Sequence, residues 1–199
     1  MLYSTIYFLS NNPIIHTSII HMGQQFQLLP ESPPYIAIPP HEPHVMYIGC
    51  CDARYNESCL DLSRGETFKL NTIANSINVN DPAAMSSLEY AVLYLNVKKI
   101  TIVGHNDCGG IKACLYNDYN NLPKNLKCHL KELNTLCQDY NKMKFSTIDP
   151  IKLISIQNIK LQIDKLNSID FIQSAIEKQK LVLSGMIYNL DTNILEHII

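Results

Sequence analysis

Two short runs in this chain hold side chains that could do chemistry together. The first, Gly49-Cys50-Cys51-Asp52-Ala53-Arg54, sets a thiol, a carboxylate and a guanidinium at every second position. The second, Gly104-His105-Asn106-Asp107-Cys108-Gly109-Gly110, offers an imidazole and a thiol three residues apart. Thiolates and imidazoles are the ligands that suit zinc. A structural zinc normally has four protein ligands, so Cys50, His105 and Cys108 with an exchangeable fourth position match a catalytic zinc, one per chain. Read singly, Cys50 would be a small buried hydrophobe and Asp52-Arg54 an ordinary turn ion pair. Together they assign Asp52 as a hydrogen-bond acceptor beside the open position, and Arg54 as the group that keeps it ionised and turned away from the metal.

Both runs follow apolar segments that read as strands. Val45-Met46-Tyr47-Ile48 and Ile100-Thr101-Ile102-Val103 are β-branched or aromatic enough to be buried in a sheet. If the first strand stays extended past Ile48, alternation puts Cys50, Asp52 and Arg54 on one face, with Cys51 and Ala53 on the other. Phe68-Lys69-Leu70 reads as a further short strand, and Leu181 to Tyr188 as a closing one. Between them, Ser86 and Glu89 form a capping-box pair, and Leu88, Ala91, Val92 and Leu95 repeat with helical spacing. Helices are also expected from Ile111 to about Tyr116, along Leu126, Leu130, Leu133 and Cys137, and from Ile159 to about Lys180. Strands alternating with helices predict an α/β domain with a mostly parallel central sheet flanked by helices, its site at the carboxyl ends of the strands.

The two motifs, in this order and spacing, resemble the β-class carbonic anhydrases. The resemblance extends through Gly65-Glu66-Thr67-Phe68 and Ser87-Leu88-Glu89-Tyr90-Ala91-Val92, and Arg54-Tyr55-Asn56-Glu57 is similar to the fungal branch. It covers roughly residues 41 to 115, returns near Gly185 to Asn189, and leaves out the first forty residues. It implies zinc-dependent reversible hydration of CO2 to bicarbonate by a homodimer whose pockets lie at the subunit boundary. It also implies that Phe68 and Tyr90 line an apolar substrate pocket. His41 stands where the family has a glutamine that donates a hydrogen bond to substrate, and Asn71-Thr72 replaces an Arg-Asn or Lys-Asn pair. These departures support one rival, a catalytically weak or silent zinc-binding relative. The pocket residues leave room for a second, a hydrolase of a CO2-like molecule such as carbon disulfide. In the family the aspartate can also ligate zinc in a closed form.

Bulk properties bound the rest. A chain of 199 residues, 46% apolar, supports one real core. The division expected is an atypical N-terminal arm, residues 1–40, and a zinc-binding catalytic domain, residues 41–199. A net charge of -2, from 16 basic and 18 acidic residues, gives no reason to expect nucleic acid as a partner. In the arm, Asn11, Asn12, Pro13 and His16 interrupt any apolar run long enough to span a membrane, so no membrane partner is expected. Seven cysteines at irregular spacings suit a reducing compartment, the cytoplasm first, with the mitochondrion left open.

Overall fold

The computed structural model describes residues 39–116, 118–142 and 149–199. The expected arm therefore lies almost wholly outside the described residues. Five strands form one sheet in the order β2-β1-β3-β4-β5, with β1 Val45–Cys50, β2 Thr67–Thr72, β3 Lys99–His105, β4 Val182–Asn189 and β5 Ile194–His197. The first four are parallel, and β5 returns antiparallel to β4. The parallel α/β expectation therefore holds, with β5 as an antiparallel edge that the sequence reading omitted.

β1 is buried at all six positions and lies between β2 and β3. That position explains its unbroken apolar run, since a central parallel strand is covered on both faces. Met46 and Ile48 pack with Leu88, Ile100 and Ile102 in one apolar cluster, while Tyr47 joins Val103, Ile111, Leu133 and Cys137 in another. Each such fully buried aliphatic side chain contributes about 1.5–3 kcal/mol of transfer free energy.

Six α-helices surround the sheet among the described residues: α1 Pro82–Glu89, α2 Gly109–Leu115, α3 Lys124–His129, α4 Lys131–Lys142, α5 Pro150–Asn167 and α6 Asp170–Glu177. The start of α1 corrects the capping-box expectation. Asp81 is its N-cap, with the side chain accepting from the Ala83 N–H at 3.0 Å, and Pro82 takes the first helical position. An aspartate followed by proline is the stronger start signal, which leaves Ser86 and Glu89 inside the helix. Past Glu89 the chain widens into a π turn over Tyr90–Tyr94, closed by Leu95 N–H donating to the Tyr90 carbonyl at 3.0 Å.

The long helix expected over Ile159 to Lys180 is two helices, and the first begins earlier. Asp149 caps α5 by accepting from Ile151 N–H at 3.0 Å, so Asp149-Pro150 is the helix start. The chain breaks at Ser168–Ile169 before α6. Gly104 on β3 and Gly185 on β4 let α5 approach closely. A methyl group on Gly104 would lie 3.0 Å from Ile159 Cδ1, and one on Gly185 would lie 2.5 Å from Ile159 Cγ2.

Candidate metal centre

The register of the central strands brings the two motifs together. β1 and β3 pair in parallel with Gly49 opposite Val103, so Cys50 ends its strand beside Gly104 and His105. Neighbouring strands lie about 4.8 Å apart, which is the scale on which two ligands can share one ion. Cys108 follows as the N-cap of α2, where the amides of Gly110 and Ile111 favour its thiolate. The ligand atoms of Cys50, His105 and Cys108 all lie within 4.8 Å of one another, and all three residues are buried.

The donor set fits a zinc ion. His105 Nδ1 lies 2.7 Å from the Asn106 carbonyl, which fixes the proton on that nitrogen, and Nε2 is buried with no hydrogen-bond partner. A buried imidazole nitrogen with a bare lone pair and two thiols beside it would be costly unless a ligand completed the group. Cys50 Sγ also accepts the Ala74 N–H at 3.2 Å. Cys108 lowers the thiol pKa of Cys50 by donating to its sulfur, while that same sharing, and then burial, raises the pKa of Cys108. A dication in this group would stabilise both thiolates.

Asp52 and Arg54 do meet, though not by strand alternation. β1 ends at Cys50 and the chain turns at Ala53–Arg54. The contact is an Asx-type turn in which Asp52 Oδ1 accepts from the Arg54 backbone N–H at 3.0 Å. The guanidinium then forks onto the carboxylate, Nε to Oδ1 at 2.9 Å and Nη2 to Oδ2 at 2.7 Å. That hydrogen bonding holds the Asp52 carboxyl well below the usual carboxylate range, against the opposing effect of burial. Asp52 Oδ2 lies 4.0 Å from His105 Nε2. Cys51 is exposed and outside the ligand group, as expected.

Behind the ligands are residues that the sequence reading passed over. Tyr55, read only as part of the fungal-like run, is buried. Its hydroxyl accepts from Cys50 N–H at 2.8 Å and donates to the Val103 carbonyl at 3.0 Å, and its ring lies 4.8 Å from that of His105. From α5, Ser155 donates to the His105 carbonyl at 3.0 Å and Asn158 to the Ala74 carbonyl at 2.8 Å. Gln162 donates to Asn158 Oδ1 at 2.9 Å and accepts from Ile77 N–H at 2.8 Å. Ala74 has left-handed φ of 55°, and Asn158 ties down this strained turn, whose N–H reaches Cys50. The signal was present as a polar stripe, Ser155, Asn158 and Gln162, at three- and four-residue spacing beside the isoleucines of the helix's buried face.

The departures at Asn71 and Thr72 also have local work. Asn71 Nδ2 donates to the Cys50 carbonyl at 2.9 Å, and Thr72 Oγ1 to the Ser76 carbonyl at 2.8 Å. The expected pocket residues are placed elsewhere. Phe68 pairs with Met46, four residues before Cys50, roughly 13 Å along the strand. Its ring is 5.7 Å from that of Tyr90, which in turn stacks on the exposed Tyr94. His41 is exposed and precedes the amino end of β1. Within one chain, then, the metal group and these three residues lie toward opposite ends of the sheet.

Fold and site together define a zinc-type α/β enzyme centre, and comparison with known proteins gives its family. The family model described as carbonic anhydrase matches residues 45–195. The chain is 35% identical to carbonic anhydrase of Saccharomyces cerevisiae over 161 residues, 77% of this chain and 73% of that protein. It is 31% identical to carbonic anhydrase of Candida albicans over 201 residues, 96% of this chain and 66% of that one. Among solved structures, one of two tetrameric β-carbonic anhydrases from Sordaria macrospora superposes with a TM-score of 0.73 at 26% identity, covering 79% of this chain and 81% of that one. The β-carbonic anhydrase CafA of Aspergillus fumigatus gives 0.72 at 28% identity, covering 79% and 76%. The chain belongs to the β-carbonic anhydrase family.

Proposed function

We propose that this chain catalyses the reversible hydration of CO2 to bicarbonate and a proton, with one zinc ion held by Cys50, His105 and Cys108. The observation that carries this reading is the convergence of those three buried ligand atoms beside the Asp52–Arg54 pair. Bound there, zinc supplies the Lewis acidity that makes water a nucleophile near neutral pH, for which carbonic anhydrase is a standard example. Asp52 Oδ2, kept ionised by Arg54, accepts a hydrogen bond from the attacking water and so aims an oxygen lone pair at the carbon of CO2. Tyr55 and the α5 residues Ser155 and Asn158 hold the ligand-bearing backbone in place while this happens. The proton released goes to buffer.

The working unit is a homodimer or a multiple of it. Support comes from the placement of Phe68, Tyr90 and His41 away from the metal group of their own chain, and from the exposure of Tyr90, Leu93 and Tyr94 at 47%, 53% and 75%. In this reading the aromatic pair of one subunit closes the metal pocket of the next. The seven unpaired cysteines favour a reducing compartment, the cytoplasm in particular.

Stopped-flow CO2 hydration by purified, zinc-verified protein tests the reading. Turnover that depends on stoichiometric zinc is expected. Full zinc loading with a hydration rate no different from buffer would leave the chain as a silent relative.

A further inference from the structure

The guanidinium of Arg54 is shared between two carboxylates. Its Nε and Nη2 face Asp52, and Nη1 donates to Asp107 Oδ2 at 2.9 Å, with Nη2 also 3.4 Å from the Asp107 carbonyl. The other carboxylate oxygen of Asp107 is paired with Lys112 of α2. Asp107 sits in the loop from β3 to α2, between His105 and Cys108, with a left-handed φ of 58°. Glycine would adopt that conformation at lower cost, so the side chain at this position calls for a reason.

From this geometry we infer that Asp107 is a positioning residue that fixes the Asp52–Arg54 pair relative to the zinc ligands. The pair stands on the turn after β1, and Arg54 is half exposed. The Asx turn and the forked contact orient Asp52 and Arg54 toward each other, but they do not join the pair to the segment carrying His105 and Cys108. The bonds from Arg54 to Asp107 make that connection, and Lys112 holds Asp107 from the helix side. A lone exposed ion pair contributes little, whereas a guanidinium bridging two carboxylates, one of them held by a lysine, has restricted geometry. Removing the Asp107 carboxylate frees Arg54 to swing outward and Asp52 to move the short distance toward the metal.

The inference rests on the proposed carbonic anhydrase reading, and its test includes a measurement that needs no turnover. Asp107→Gly suits the left-handed backbone and removes the carboxylate, while Asp107→Asn keeps an acceptor oxygen for Nη1. In zinc-loaded enzyme, Asp107→Gly is expected to lower kcat roughly 10- to 100-fold with zinc content unchanged, and Asp107→Asn to recover part of that loss. In cobalt(II)-substituted protein, the visible ligand-field spectrum of Asp107→Gly should differ from wild type as the Asp52 carboxylate enters the coordination sphere. The difference should vanish in the Asp107→Gly/Asp52→Ala double variant when it is compared with Asp52→Ala. A kcat within about twofold of wild type together with superimposable cobalt spectra would overturn the inference, by an effect too small for a misplaced group. So would a spectral change that persists without Asp52. Wild-type protein with no hydration activity would sink the functional reading alone, because the cobalt spectra would still report where Asp52 lies.

Discussion

Asp52 Oδ2 and His105 Nε2 stand 4.0 Å apart, although one follows the end of β1, the other closes β3, and they belong to different motifs. The separation is too long for a hydrogen bond, so the carboxylate is a neighbour of the ligand group and leaves the imidazole lone pair free. Arg54 occupies both carboxylate oxygens from the other side.

Asp52→Asn is therefore expected to keep zinc and lose activity. The amide has almost the shape of the carboxylate but can present a donor where an acceptor is needed, and it forfeits the charge paired with Arg54. Hydration should fall by about 10²- to 10⁴-fold, the usual range for a positioned proton-handling group. Elemental analysis and stopped-flow rates on one preparation check this, and near-normal turnover with full zinc would remove Asp52 from the mechanism.

The two adjacent cysteines should behave oppositely. Cys50 is buried with its sulfur in the ligand group, whereas Cys51 is exposed and outside it. Cys50→Ser should lose the metal on dialysis, and Cys51→Ser should retain one zinc per chain. Equal retention by both variants would mean that another group supplies the third ligand.

Asn158→Ala should weaken metal binding from a position that touches no ligand side chain. It leaves the Ala74 carbonyl unpaired and loosens the turn whose N–H donates to Cys50 Sγ. Losing such supporting contacts typically costs 10- to 100-fold in metal affinity, and the unsatisfied buried carbonyl should cost about 1–3 kcal/mol of stability. Competition against a chromophoric chelator measures the first effect, and urea denaturation of the metal-free protein measures the second.

Subunit mixing tests the shared pocket. Cys50→Ser lacks the metal group, and the double variant Phe68→Ala/Tyr90→Ala lacks the aromatic pair; each should be inactive or nearly so. Unfolded together in equal amounts and refolded, half of the dimers are mixed, and each mixed dimer has one intact pocket if the pockets are built across the boundary. Recovery to about a quarter of wild-type activity is expected from random pairing of two chain types. No recovery, with mixed dimers demonstrated, would place each pocket within one chain.

Much of the fold was legible because the central strands announce themselves. Val45 to Ile48 and, apart from the buried Thr101, Ile100 to Val103 are apolar, which is what burial on both faces requires. The ligands were legible for a related reason: Cys50 and His105 end those strands, Cys108 comes three residues later, and parallel strands display their carboxyl ends together. Harder to read were the boundaries of α1 and α5, where aspartate followed by proline marks the true starts at Asp81 and Asp149. Strand β5 was also missed, because its four residues are neither long nor uniformly buried.

By itself, then, the sequence determined a parallel α/β sheet, a zinc-type ligand set and an Asp–Arg pair, since these depend on local pattern and on residue chemistry that neighbours in the chain reveal. Only the tertiary structure decided how far each group stands from the next. The β1–β3 register placed Cys50 beside His105, and a turn rather than an extended strand joined Asp52 to Arg54. Asp107, Tyr55 and Asn158 became partners of the site through contacts of Arg54 with Asp107, of Tyr55 with Val103 and of Asn158 with Ala74. Such contacts join residues far apart in the chain, and no local periodicity encodes them; they exist only once strands and helices have packed.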